Sequence, residues 1–260
     1  IIETGLGGRL DSTNIINPVI SIITNIGYDH VNLLGNTLEK IAFEKAGIIK
    51  QNVPVVIGRK QEETKNIFLE IAEKKNASVS FSKNYNYSST SLRGEYQKEN
   101  INTAICALKI LDWNISEQHI INGLDNILTN TGIRGRWEQI GKEPLIICDT
   151  GHNKDGILNI IKQIKKINYK NLHFVYGSVN DKDLDKILII LPKNAFYYFC
   201  QAKIDRALNS DILKKNALNH KLKGDSFSTV LKAYKAALKN AKKEDLIFIG
   251  GSTFVVAEVL

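Results

Sequence analysis

Leu145-Ile-Ile-Cys-Asp-Thr-Gly-His-Asn153 reads as a strand that runs directly into a polar turn. Residues 145–148 form a short apolar run, Asp149 ends it, and Thr150-Gly-His-Asn153 leads into a helical pattern over 156–167. The same rhythm continues to the end of the chain. Strands expected at 145–148, 172–176, 196–199 and 246–249 alternate with helices expected at 156–167, 184–191, 210–216 and 226–239. Such alternation predicts a doubly wound α/β domain around a largely parallel sheet.

Upstream of this block, residues 129–142 lack periodicity and carry Gly132, Gly135 and Gly141, which places a domain boundary at 141/142. The first part also reads as α/β. Residues 1–4 resemble a strand end, 5–14 a glycine-rich loop, and 19–24 a β-branched run of the kind covered on both faces. Further strands are expected at 53–57 and 78–81, and helices at 61–75, 96–111 and 116–127, the last capped by Ser116. Residues 84–91 are polar and irregular. The helix expected at 37–46 has Asn36 and Glu39 as a capping pair and Gly47 as a left-handed stop. Leu38, Ile41, Ala42 and Lys45 fall at i, i+3, i+4 and i+7, so Lys45 shares the inward stripe. It either snorkels near the helix C-terminus or belongs inside a site.

The 260 residues, 43% of them hydrophobic, suffice for two ordinary domains. No apolar run reaches the roughly 18 residues of a membrane span, and no signal peptide opens the chain, so a cytoplasmic protein without a membrane partner is expected. Three widely spaced cysteines, Cys106, Cys148 and Cys200, argue against a disulfide framework or thiolate metal site. The net charge of +8 comes from lysines spread over helix faces without interleaved aromatics, which argues against a nucleic-acid partner. The chain has no methionine and opens on Ile-Ile-Glu-Thr, so it is expected to be a piece of a longer protein.

Open α/β sheets bind ligands at the carboxyl ends of strands, where Glu3 and His30 are expected. A carboxylate and an imidazole there can ligate a divalent cation such as Mg²⁺. Singly, Glu3 can instead anchor a loop and His30 can be a half-buried loop histidine. A desolvated Lys45 adds a third donor, because a neutral amine takes up CO₂ as a carbamate and presents oxygen. Asp149 and the turn to Asn153 are either a ligand site or a helix N-cap cluster. Arg136, after Gly135, either reaches phosphates bidentately or pairs with Glu138. His119, His173 and His220 have no chemical neighbour in sequence and are assigned to surface or core. The sequence contains no nucleophile elbow, no His-Glu-x-x-His and no Gly-x-x-x-x-Gly-Lys-Ser/Thr.

Eight segments occur in one order: Glu3-Thr-Gly-Leu-Gly-Gly-Arg-Leu-Asp-Ser-Thr-Asn14, Ile23-Thr-Asn-Ile-Gly-Tyr-Asp-His30, Glu44-Lys-Ala-Gly-Ile48, Gly94-Glu-Tyr-Gln-Lys-Glu-Asn100, Gly135-Arg-Trp-Glu138, Asp149-Thr-Gly-His-Asn153, Asp181-Lys-Asp183 and Gly250-Gly-Ser-Thr-Phe254. Together they resemble folylpolyglutamate synthase/dihydrofolate synthase, a branch of the Mur ligase superfamily. The resemblance implies that 1–141 is the remainder of a central ATP-binding domain and 142–260 a C-terminal glutamate-ligase domain of Rossmann-like fold. It implies Glu3, His30 and a carbamylated Lys45 as Mg²⁺ ligands, with Lys45, His30 and Arg136 catalytic. Asn100, Arg136, Asp149 and His152 would face ATP. Leu10, Asp11 and Ser12 would face the pterin substrate, and Ser252 the incoming L-glutamate.

The implied reaction is ATP-dependent formation of an acyl phosphate on dihydropteroate or a folate, attacked by the amino group of L-glutamate, in a monomeric enzyme. Two departures matter: Tyr96 stands where many relatives have histidine, and the family's N-terminal phosphate loop does not occur in this sequence. The chain alone is therefore expected to lack ligation, and its last domain to be the better-folded half in isolation. The alternatives are another Mur-type amino-acid ligase, against which the Gly7–Asn14 loop speaks, and a non-catalytic nucleotide- or folate-binding module.

Overall fold

The computed structural model describes residues 1–87, 89–180 and 184–260; the Asp181-Lys-Asp183 segment lies outside the described residues. The chain forms two compact units, one of residues 1–91 and 96–126, the other of residues 92–95 and 127–260.

The first unit is built on three parallel strands in the order β1 (Ser21–Ile23), β2 (Val55–Ile57), β3 (Val79–Phe81). Its helices are α1 (Val31–Leu34), α2 (Leu38–Ala46), α3 (Glu62–Lys74), α4 (Gln97–Ile110) and α5 (Glu117–Asp125). Alternation along the central strand divides the core. Val55 and Ile57 pack with Ile41, Ala42 and Ala46 of α2 and Phe68 and Ala72 of α3, whereas Val56 meets Cys106 and Ala107 of α4. Both faces of β2 are thus covered, which is why it reads as an unbroken apolar run.

Four expectations in this unit need correction. Residues 1–4 form no strand, and Ile1 and Ile2 lie exposed. The strand expected at 19–24 shortens to β1, where Ser21 and Ile23 are buried but the alternate Ile22 points outward and is exposed. Helix α2 is capped by Thr37, whose side chain accepts from the Lys40 N–H, rather than by Asn36. Its Gly47 is right-handed, at φ −59°, ψ −14°. Close approach explains the glycine instead: a Cβ there would lie 2.3 Å from Arg9 Cα and 2.7 Å from Arg9 N.

The second unit carries a six-stranded sheet in the order β4 (Glu138–Lys142), β5 (Leu145–Asp149), β9 (Leu246–Gly250), β6 (Leu172–Tyr176), β7 (Ala195–Cys200), β8 (Lys223–Phe227). All neighbours are parallel except β4 and β5, which pair antiparallel with a bulge between Gln139 and Gly141. Helix α6 (Ile127–Thr131) precedes the sheet. Helices α7 (Lys154–Ile164), α8 (Leu184–Leu188) and α9 (Ser210–Asn219) cover one face through Ile157, Ile160, Leu188 and Leu213. Helices α10 (Val230–Asn240) and α11 (Thr253–Ala257) cover the other through Ala233, Ala237, Val255 and Val256. The doubly wound arrangement is present.

Because β4 hydrogen-bonds to β5, residues 138–142 belong to this second sheet, and the compact units part at 126/127 rather than 141/142. Residues 92–95 join the second unit as well. Buried Gln163 accepts from the Glu95 N–H at 3.0 Å and Lys166 pairs with Glu95 at 2.6 Å.

The three histidines set aside in the sequence are all held. His119 closes a capping box with Ser116 at the start of α5. His220 lies 2.8 Å from Asp185. His173 is buried, with Nδ1 2.9 Å from Tyr198 Oη and Nε2 3.3 Å from Asp245. Among the described residues, no helix is long and apolar enough to cross a membrane.

Candidate functional site

In the first unit the glycine-rich loop 5–14 is fastened to the C-terminal end of α2. The Arg9 N–H donates to the Glu44 carbonyl at 2.8 Å, and its guanidinium pairs with the Glu44 carboxylate at 2.9 Å. Asn14 Nδ2 donates to the carbonyls of Arg9 and Gly47, both at 3.1 Å. Asp11 holds the loop from within, accepting from the N–H groups of Leu6 (2.7 Å) and Thr13 (3.0 Å) and from Thr13 Oγ1. These bonds, led by the Thr13 hydroxyl, draw its pKa down to about 2. Of the residues expected at the pterin substrate, Asp11 is therefore engaged inside the loop, while Leu10 and Ser12 lie exposed at its surface. A cleft of about 390 Å³ beside this loop is lined by Leu33, Gly35, Lys40 and Phe43 among others.

Lys45 lies next to this attachment, half-buried, as the helical stripe requires. Burial lowers its pKa, and the charge of Asp29 opposes that shift without cancelling it. His30 opens α1 from a left-handed conformation at φ 47°, ψ 40°, with Nε2 3.9 Å from Asp29 Oδ1. The charge of Asp29 thus bears on Lys45, and its carboxylate lies near His30. Sequence reasoning did not select it, although its place in the loop that follows β1 was a usable signal. Glu3 lies exposed in the coil at 1–4, not at a strand end. Among the described residues no cluster of three or more His, Cys, Asp and Glu side chains stands ready for a metal. The donor chemistry of Asp29, His30 and a carbamate on Lys45 nevertheless fits a hard divalent cation, which takes oxygen ligands and tolerates an imidazole. Asn100 sits exposed on α4, its Nδ2 donating to the buried Gln97 Oε1 at 2.9 Å.

In the second unit the β5–α7 turn is organised by Asp149, which is 2% exposed at the end of β5. Its carboxylate accepts from the N–H groups of Trp137 at 2.8 Å and Gly151 at 2.7 Å. Asn153 caps α7 through the Gly156 N–H. The N-cap reading of this turn is realised. His152 Nδ1 lies 3.1 Å from the Thr150 carbonyl, which only accepts, so Nδ1 carries the proton.

Facing this turn is Gly135-Arg-Trp-Glu138. Gly135 (φ 69°) and Trp137 (φ 49°) are both left-handed. The strain at Trp137 is held by the Asp149 bond and by burial of its indole against Phe248, 6.0 Å between centroids. The Glu138 carboxylate is taken by Arg134 at 2.6 Å and by the Gly135 N–H at 2.7 Å. Arg136 therefore does not pair with Glu138. Half-buried between two fixed residues, its guanidinium has no ion-pair or hydrogen-bond partner among the described residues. Ser252, buried at 4%, spends its hydroxyl on the Phe254 N–H at 3.2 Å. Cys148 and Cys200 are buried free thiols whose pKa burial raises, that of Cys148 to about 12, so neither is a nucleophile at neutral pH.

The second unit is an open, doubly wound α/β fold, and comparison with known proteins gives the family. The model for the Mur ligase middle domain matches residues 1–122, and that for the Mur ligase glutamate ligase domain matches residues 135–253. The dihydrofolate synthase/folylpolyglutamate synthase of Bacillus subtilis is 29% identical over all of this chain, which covers 66% of that protein. The same enzyme from Buchnera aphidicola of Acyrthosiphon pisum is 34% identical, again with 100% and 66% coverage. A probable bifunctional folylpolyglutamate synthase/dihydropteroate synthase of Haloferax volcanii is 29% identical over 99% of this chain and 34% of its own length.

Among solved structures, Escherichia coli FolC with DHPP and ADP superposes with a TM-score of 0.84 at 29% identity, over 98% of this chain and 64% of that one. A bifunctional folylpolyglutamate synthase/dihydrofolate synthase with Mn, AMPPNP and L-glutamate bound gives 0.84 at 25% identity, with 98% and 64% coverage. The chain belongs to the Mur ligase superfamily and, within it, to the folylpolyglutamate synthase/dihydrofolate synthase family. It spans about two thirds or less of the length of these relatives.

Proposed function

We propose that the chain forms part of an ATP-dependent ligase that joins L-glutamate to dihydropteroate or to a folyl-(poly)glutamate through an acyl phosphate. The observation that carries this reading is Arg136, a half-buried guanidinium held by left-handed neighbours with its natural partner Glu138 already occupied. A cation so held suits the charge that develops on a transferring phosphoryl group. The strand-end turn organised by Asp149 and bearing His152 belongs to the same unit, and Asn100 on α4 is the corresponding nucleotide-facing candidate of the first unit.

When bound, a divalent cation such as Mg²⁺ would neutralise phosphate charge, and Asp29, His30 and carbamylated Lys45 are the residues that would hold it. Glu3 remains a candidate by family resemblance. Lys45 contributes because its burial favours the neutral amine that takes up CO₂, and Asp29 limits that tendency. The exposed tip of the 5–14 loop, Leu10 and Ser12, is the surface offered to the pterin end of the substrate. Ser252, which caps α11, is the residue we assign to the incoming glutamate, on the family resemblance. The deciding experiment is calorimetric titration of ADP into wild type and Arg136→Ala. Loss of a charge-assisted contact weakens binding by about ten- to a hundredfold, with the melting temperature unchanged. Equal affinity in the two proteins refutes the assignment.

A further inference from the structure

The β1–α1 loop is held in an unusual way. The parallel ladder ends with Gly58 N–H to the Ile23 carbonyl and Arg59 N–H to the Thr24 carbonyl, both at 2.8 Å. Two residues further on, Ile26 is buried and gives both of its backbone groups to one side chain. Its N–H donates to Gln61 Oε1 at 2.9 Å, and Gln61 Nε2 donates to its carbonyl at 2.9 Å. The carboxamide thus stands in for the peptide of an absent neighbouring strand. Gln61 occupies the N-cap of α3 yet its side chain caps nothing there, while its own carbonyl is fixed by the Thr64 and Lys65 N–H groups. The clamp therefore rests on a helix end and reaches across 35 residues to the loop. Three and four positions beyond Ile26 stand Asp29, whose charge acts on Lys45, and His30 in its left-handed conformation.

We infer that Gln61 is a positioning residue for the cation-binding end of this loop, setting where Asp29 and His30 stand relative to Lys45. This rests on the reading that those three residues hold a divalent cation. Outer residues that orient metal ligands typically change metal affinity by about 10–100-fold when lost.

The test is an NMR titration of the ¹⁵N-histidine-labelled chain with Mn²⁺ in bicarbonate buffer, with His30→Ala assigning the His30 resonances. Paramagnetic broadening of His30 should set in at low Mn²⁺ in wild type and require about tenfold more in Gln61→Ala, with faster hydrogen exchange at the Ile26 amide. Gln61→Glu preserves size and the acceptor but cannot donate to the Ile26 carbonyl, so it should shift the same way; it carries the test should Gln61→Ala fail to fold. A lowered melting temperature with an unchanged Mn²⁺ midpoint in these variants marks a purely structural clamp and overturns the inference alone. Absence of His30 broadening in wild type overturns the cation reading itself, and the inference with it.

Discussion

Gly47→Ala is the substitution on which the structure and simple propensity disagree in sign. Gly47 has ordinary helical dihedrals, so alanine fits its backbone and on propensity alone would stabilise by about 0.4–1 kcal/mol through the unfolded chain. The structure puts the new methyl 2.3 Å from Arg9 Cα, 2.4 Å from Arg9 Cβ and 2.7 Å from Arg9 N, where the main chain cannot swing aside as a side-chain tip does. Overpacking of this kind costs about 1–3 kcal/mol. Displacing the loop also endangers the Arg9 N–H bond to Glu44 and the Asn14 bond to the Gly47 carbonyl, each worth about 1 kcal/mol net. The balance is a destabilisation of about 2–4 kcal/mol. Gly123→Ala supplies the control, since that glycine lies in α5 with nothing within 4 Å of its Cβ position, and it should stabilise by about 0.4–1 kcal/mol. Hydrogen exchange at the amides of Ile41 and Ala46, read alongside urea unfolding, reports on the first unit directly. Should Gly47→Ala stabilise as Gly123→Ala does, the 5–14 loop does not sit against α2, and the account of how that loop is positioned collapses.

Lys45→Met should raise stability at neutral pH and flatten its pH dependence. The folded-state pKa of Lys45 is depressed by burial, so between that value and the unfolded one, about 10.4, the unfolded chain holds more protons and wild-type stability climbs with pH. A variant with the same alkaline slope as wild type, measured by urea unfolding from pH 7 to 10, contradicts this. Asp11 has the opposite sign. Its carboxylate, drawn from 3.8 to about 2, contributes order to the loop that is complete above the unfolded value and lost as pH falls toward 2; faster exchange at the Leu6 amide over that window, absent in Asp11→Asn, is the expected signature. Asp149→Ala strands the N–H groups of Trp137 and Gly151, at about 1–3 kcal/mol each. Unfolding followed by Trp137 fluorescence should register that loss, and a change below about 1 kcal/mol would mean the carboxylate is no anchor.

The second sheet was readable where its strands are buried on both faces. β5, β6, β7 and β9 are continuous apolar runs with almost every residue inside, and such runs stand out in a sequence. β8, Lys223-Gly-Asp-Ser-Phe227, lies at the sheet edge and has Phe227 as its one apolar side chain. β4 is the opposite edge, antiparallel and bulged. Edge strands owe their existence to the neighbour's unpaired backbone groups rather than to their own side chains, so no pattern announces them. Missing β4 displaced the domain boundary, since the pairing that assigns 138–142 to the second unit is invisible before β5 is placed. Gly47 was misread for a related reason. Glycine after a helix most often supplies a left-handed turn, and only the long-range approach of Arg9 shows that here it supplies room.

The site divides along the same line between local and distant causes. Lys45 was legible because helical spacing alone turns it inward, and its lowered pKa follows from that burial. Asp29 was not, because its bearing on Lys45 depends on how the β1–α1 loop returns toward α2. Arg136 shows how the two kinds of cause combine. Gly135-Arg-Trp-Glu138 leaves the partner of Glu138 open in sequence. The structure gives the carboxylate to Arg134, four residues away, and to the Gly135 N–H, while left-handed turns at Gly135 and Trp137 carry Arg136 off on its own. Only Gly135 makes its turn without steric cost. Trp137 is kept left-handed because Asp149, at the end of a different strand, accepts its N–H, and because the indole is buried beside Phe248. The turn that carries Arg136 away from Glu138 is thus held by a carboxylate 13 positions away, both of whose oxygens are committed to the protein's own backbone.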